Sequence, residues 1–178
     1  MTTFPKDKSK NEFDKNPVLE RFEHQLRSSN LKTFYTMKPD FNWACSNIDD
    51  IKKKFSLDKY FLLFPFCSPH LSIKKWPYFN ELIELIKKNF NKEFKIVIAP
   101  GPSEINEAKE SKAITVSDNG KILSISQLAS LIKDSSFVVA NDTGPAHMAA
   151  HLGSKGIALF GAHTTAHKVS IERENFKA

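Results

Sequence analysis

Residues 137–150 read FVVANDTGPAHMAA, and the order of chemistry along this stretch decides the fold. Phe137-Val138-Val139-Ala140 is an apolar run of strand length. Asn141-Asp142-Thr143-Gly144-Pro145 is a polar turn. Pro145 suits the first turn of a helix, where a backbone N–H would have no partner in any case. Small and apolar residues from Ala146 to Leu152 then suit a tightly packed helix. A strand that breaks into a helix this way points free N–H groups out of the carboxyl edge of a sheet. Together with the helix dipole they make an anion site, for which phosphate is the usual guest.

The same alternation runs outward from this segment. Strands are predicted at 60–64, 95–99, 113–116, 137–140 and 156–160. Trp76-Pro77 opens a helix whose apolar stripe is Phe79, Leu82, Ile83, Ile86 and Phe90. A polar helix is predicted over Ser103–Ser111 with Ser103 as its N-cap, and further helices over Ser124–Lys133 and Pro145–Leu152. Strand alternating with helix five times predicts an α/β fold with a parallel, doubly wound sheet. Its crossovers are right-handed, and the loops after the strands share one edge.

Before Tyr60 the pattern is weaker. Residues 1–17 are charged and poor in apolar groups, which predicts an unanchored arm. Val18, Leu19, Phe22 and Leu26 have helical spacing over 18–29, and a short helix fits Ile48–Phe55. The expected division is 1–58, an arm with the remnant of a preceding domain and a linker, and 59–178, the layered domain. Apolar surface is expected around Phe13, Phe22, Phe34 and Trp43, open to a partner chain or to self-association.

Composition narrows the function. The net charge is +6, but Arg occurs only at Arg21, Arg27 and Arg173, and the lysines are scattered. Base-edge readout favours the forked guanidinium, so no nucleic-acid partner is expected. The lysines do allow weak attraction to anionic membrane surfaces. No run approaches a membrane span, and Met1–Lys10 lacks the apolar core of a signal peptide. Cys45 and Cys67 lie far apart, as reduced thiols of a cytosolic protein would. His147 and His151 share a helix face, but Met148 stands where a zinc protease needs Glu, and no metal is expected. The Asn141-Asp142-Thr143 sequon falls in a half-buried turn. Walker, G-x-G-x-x-G and G-x-S-x-G motifs are lacking, which argues against NTPases, dinucleotide cofactors and serine hydrolases.

Four loops converge at the common edge: Ser68 to Lys75, Gly101 to Glu104, Asp142 to His147 and Gly161 to Thr165. A diphosphate at the Gly144–His147 helix start meets backbone donors, the dipole and a His donor. Lys74 is placed to neutralise a phosphate oxygen, and Glu104 to accept from ribose hydroxyls. Each also has a plain structural use. Asp142 can cap the helix, His147 can pack, Lys74 can be a solvated charge, Glu104 can sit at a helix start, and Gly144 can permit close backbone approach.

The segments Phe64-Pro65, Ser68-Pro69, Lys74-Lys75-Trp76-Pro77, Asn141 through Ala150 and Leu159-Phe160-Gly161 closely resemble the C-terminal half of the ADP-heptose:lipopolysaccharide heptosyltransferase family, glycosyltransferase family nine. The likeness runs from about Tyr60 to Thr165. It implies a Rossmann-like donor-binding domain of GT-B architecture, facing a second domain across a cleft. It implies a nucleotide-diphospho-sugar donor, a lipopolysaccharide-core acceptor, and inverting transfer without metal or cofactor. Ser68, Lys74, Thr143, Gly144, Pro145 and His147 would bind the donor at or near its diphosphate, with Asp142 and Glu104 near the nucleoside or sugar. The family's catalytic base is an acidic residue just after a glycine-rich first strand, which this chain lacks, so donor binding without turnover by this chain alone is expected. The implied location is the cytoplasm, at the inner face of the bacterial inner membrane. The alternatives left open are a catalytically silent nucleotide-binding or assembly module and a GT-B enzyme that uses another nucleotide sugar.

Overall fold

Six parallel strands form the centre of the computed structural model, which describes residues 9–90 and 93–178. They are β1 (Tyr60–Phe64), β2 (Lys95–Ile98), β3 (Ile114–Thr115), β4 (Phe137–Asn141), β5 (Gly156–Leu159) and β6 (Phe176–Lys177), in the order β3-β2-β1-β4-β5-β6. The first five match the sequence reading. β6 has no counterpart there, because two residues carry no periodicity. The helices are α1 (Lys10–Phe13), α2 (Val18–Ser28), α3 (Asp49–Phe55), α4 (Phe79–Asn89), α5 (Ile105–Ala108), α6 (Ile125–Lys133), α7 (Gly144–His151) and α8 (Ala166–Val169). This is a Rossmann-like doubly wound sheet. The strand order reverses between β1 and β4, and a crevice is expected outside their carboxyl ends.

Alternation along the strands separates two cores. Leu62, Phe64, Val138 and Ala140 face α6 and α7, where Leu131, Ile132, Ala146 and Ala149 meet them. Leu63, Ile98 and Val139 face α4, against Phe79, Ile83 and Ile86. The central strands are therefore buried on both sides, as parallel sheets require. α6 starts where expected: Ser124 accepts from the Gln127 N–H at 3.2 Å, and the Gln127 amide oxygen accepts from the Ser124 N–H at 2.9 Å.

Several expectations need correction. α4 begins at Phe79 rather than at Trp76-Pro77; a residue before proline is biased away from the helical region, and the Trp76 N–H donates to the Asn141 side chain at 3.1 Å. The polar helix contracts to Ile105–Ala108, with Glu104 rather than Ser103 at its N-cap position and no side-chain capping bond. The Glu104 carboxylate accepts from the Gly101 N–H at 2.8 Å and closes the turn on itself. The loop after β1 contains a 3₁₀ helix, Pro69–Lys74. The expected unanchored arm fails over residues 9–17: Glu12 and Ser9 exchange capping bonds, and Phe13 is buried edge-on to His24. Residues 1–8 lie outside the described residues. Phe13 thus leaves the expected apolar surface, whereas Phe22, Phe34 and Trp43 are exposed.

The segment before β1 contributes to the main core through Ala44, Ile48, Ile51 and Leu57. It is also stitched to the sheet's helices. The Phe41 N–H donates to the His151 carbonyl at 3.1 Å, and the Ser46 N–H donates to Ser130 Oγ at 2.8 Å.

Gly156 is the glycine that packing demands. A Cβ there would stand 2.6 Å from the Val138 carbonyl oxygen and 2.7 Å from the Phe176 ring. The carbonyl belongs to the neighbouring strand and cannot swing away. Gly156→Ala should cost about 2 kcal/mol, in the usual range for overpacking, as read from urea unfolding at an unchanged m-value. A cost under 0.5 kcal/mol would mean that the β4–β5 pairing is looser than described.

Candidate functional site

The carboxyl ends of β1, β4 and β5 supply the site. β4 ends in Asn141, whose side chain is fully buried. Its Nδ2 donates to the Pro65 carbonyl at 2.9 Å and its Oδ1 accepts from the Trp76 N–H at 3.1 Å. One amide thus ties both ends of the β1 loop to β4, which fixes where Lys74 emerges.

Asp142 follows, only 3% exposed along its side chain. Lys74 Nζ donates to its Oδ2 at 2.7 Å and to its main-chain carbonyl at 3.3 Å. His163 Nε2 lies 2.9 Å from the same Oδ2. His147 Nε2 stands 3.6 Å from Oδ1, an electrostatic rather than a hydrogen-bonding distance. The His147 ring, with Lys74 and His163, holds the Asp142 carboxyl well below the usual carboxylate range, against the opposing effect of burial. One carboxylate therefore organises three potential cations at the strand-order reversal.

α7 opens beside this cluster. Thr143 is its N-cap, but no side chain caps the helix: the Thr143 hydroxyl turns back to the Asn141 carbonyl at 3.3 Å. Pro145 occupies the first turn, and the Ala146 N–H returns to the Thr143 carbonyl at 3.0 Å. Gly144 is exposed, and a Cβ added there would meet nothing within 4 Å. The chain's own backbone therefore makes no close approach at Gly144. A cavity of about 120 Å³ opens between the Ile73–Pro77 stretch and Leu159–Gly161.

Of the residues singled out from sequence, the structure brings Lys74, Asp142 and His147 together, with Thr143, Gly144 and Pro145 at the adjoining helix start. Ser68 is exposed at the start of the 3₁₀ helix, two turns before Lys74. Glu104 is bonded to its own turn. In the sequence, His163 is marked only by lying in the converging loop Gly161 to Thr165. Its pairing with Asp142 is a long-range contact with no local signature.

His151, further along α7, has a different role. Arg173 Nη2 lies 3.4 Å from its Nδ1, and burial, then Arg173 and His147, push its pKa down to about 4. The folded state holds this ring neutral, so its contribution to stability is complete above about pH 6.5 and is lost as pH falls toward 4. Unfolding free energy should drop by up to about 3 kcal/mol across that window. His151→Asn, which keeps an acceptor for Arg173, should flatten the profile in urea titrations at stepped pH. An unchanged profile would assign the pH dependence elsewhere. Among the described residues, no group of three or more His, Cys, Asp or Glu side chains is placed to hold a metal ion, and no helix is long and apolar enough to cross a membrane.

A family model matches the chain, and several solved structures share its fold. The family model for glycosyltransferase family 9 (heptosyltransferase) matches residues 3–174. No curated protein sequence matches. Among solved structures, E. coli heptosyltransferase WaaC with ADP is similar at a TM-score of 0.64 and 20% identity, over 92% of this chain and 50% of that one. WaaC with ADP-2-deoxy-2-fluoro heptose gives 0.59 and 21%, over 89% and 47%. A glycosyl transferase family 9 protein from Veillonella parvula DSM 2008 gives 0.65 and 16%, over 94% and 48%. At these identities the likeness is one of fold, and the chain spans about half the length of the structures it matches. With nearly its whole length covered by the family model, the chain belongs to glycosyltransferase family 9, the heptosyltransferase family.

Proposed function

We propose that residues 59–178 bind a nucleotide-diphospho-sugar, ADP-heptose, as the donor half of an inverting, metal-independent glycosyltransferase, with residues 1–58 as the link to the acceptor side. The observation that carries this reading is the Lys74–Asp142 pair set beside the uncapped start of α7, where β1 and β4 diverge. Backbone N–H groups at Thr143 and Gly144, the helix dipole, Lys74 and His147 would meet the diphosphate. Pro145 presets the helix turn, and Ser68 lies on the loop that delivers Lys74. Glu104 would stand toward the nucleoside or sugar, and the buried Asp142 would act on the donor through Lys74. As the sugar–phosphate bond breaks, negative charge grows on the leaving diphosphate, and these fixed positive groups stabilise it. The acceptor would be a lipopolysaccharide-core sugar, reached from the cytoplasmic side of the membrane. The exposed Phe22, Phe34 and Trp43 favour burial of this face against a further domain or a partner chain.

Thermal-shift screening against ADP, UDP and GDP tests this reading. At 100 times Kd a ligand adds about 2.7 kcal/mol to stability, which is a Tm rise of about 5 °C or more. ADP is expected to give the largest rise. Gly144→Val should abolish it; because a β-branched residue then precedes Pro145 in the helix, the unliganded variant is melted alongside as its own reference. A folded sample that no nucleoside diphosphate shifts would overturn the proposal.

A further inference from the structure

We infer that His163 is a positioning residue for diphosphate binding, acting through Asp142 on Lys74; this rests on the donor-binding reading above. A lysine ammonium has three N–H groups. Two of those on Lys74 are directed at Asp142, to Oδ2 at 2.7 Å and to the main-chain oxygen at 3.3 Å. The third is left for a ligand. Its direction depends on where the Asp142 carboxylate is held, since Oδ2 anchors the ammonium. His163 Nε2 also engages that oxygen, at 2.9 Å.

The ring itself has little freedom. Its side chain is 11% exposed, and it stacks on Phe160 with 10° between planes and 6.2 Å between centroids. Nδ1 is buried and has no partner among the described residues, so the ring's polar engagement is the single bond to Asp142. Gly161 allows this arrangement: a Cβ there would lie 3.1 Å from the Ile73 carbonyl oxygen and 3.4 Å from His163 Nδ1. The β5 loop therefore closes directly on the residue before Lys74. At 11% exposure His163 is too enclosed to greet a ligand itself, and its effect on binding passes through the carboxylate.

The test uses the full chain in four forms: wild type, His163→Leu, His163→Gln and Lys74→Met, with the Leu–Met double variant completing a cycle. Circular dichroism first establishes that each is folded. ADP binding is then measured by calorimetry. His163→Leu should weaken ADP about tenfold, His163→Gln, whose amide can still donate, less than threefold, and His163→Leu should cost nothing further once Lys74 is Met. A readout without ligand accompanies this: the rate of Lys74 reductive methylation, followed by mass spectrometry, should rise about fivefold in His163→Leu and stay near wild type in His163→Gln. Undiminished ADP affinity and an unchanged Lys74 labelling rate in a folded His163→Leu protein would overturn the inference. So would an equal loss in the Lys74→Met background, which would mark His163 as acting independently of Lys74. Wild-type protein that fails to bind ADP refutes the donor-binding reading instead, while the labelling rates still decide whether His163 holds Lys74 in place.

Discussion

Asp142→Ala is expected to lower the free energy of unfolding by about 3 kcal/mol, the usual cost of removing one partner of a buried ion pair. The loss is large because one carboxylate serves several groups. Lys74 and His163 both bond Oδ2, and His147 lies beside Oδ1. Without the carboxylate, Lys74 keeps only a 3.3 Å bond to a carbonyl, and the largely buried His163 loses its described partner. The acid limb carries the signature. A carboxyl whose pKa is lowered by folding stabilises the protein above its ordinary value, here 3.8, and that stability is lost as pH falls below it. Wild type should therefore lose stability steeply below about pH 4, and Asp142→Ala should lack that component. Urea unfolding at pH 7 and at stepped acid pH measures both. A variant within 1 kcal/mol of wild type at pH 7 would dismiss the cluster as an electrostatic unit.

Lys74→Met should reduce ADP affinity about a hundredfold, from the loss of a charge-assisted bond worth about 1.5–3 kcal/mol. Its effect on stability should be smaller than that of Asp142→Ala, because the carboxylate retains His163 and the neighbouring His147. The two variants thus separate roles: Asp142 mostly maintains the site, Lys74 mostly engages the ligand. Lys74→Arg should restore only part of the affinity, since a planar fork does not replace a compact ammonium held between two oxygens of one residue. Calorimetric titration decides. A loss below fivefold would place the diphosphate away from Lys74.

Much of this was legible in the residues. Runs such as Tyr60–Phe64 and Phe137–Ala140 are apolar without interruption because both faces are covered, and the turn after β4 carries its Pro and Gly in plain sight. What escaped depends on distance in space. Glu104 has a helix-start position like many others, and only the fold shows that it accepts from Gly101. Trp76 looks like a helix opener until Asn141, from another strand, takes its N–H. Asn141 read as part of a polar turn or a sequon, whereas its buried amide is the clasp of the site. His163 lies in a loop of unremarkable composition, and its pairing arises only when β4 and β5 lie side by side.

The strand order has a kinetic corollary. The middle of the sheet, β1 against β4 with Phe61 opposite Phe137, joins parts of the polypeptide that a ribosome delivers far apart in time. β1 and β2 can pair early, but one flank of β1 stays bare until β4 has emerged. Non-local pairing of this kind is slow, and waiting apolar edges invite wrong associations between molecules. Recovery of native protein from denaturant should therefore fall as concentration rises, with dilution the remedy.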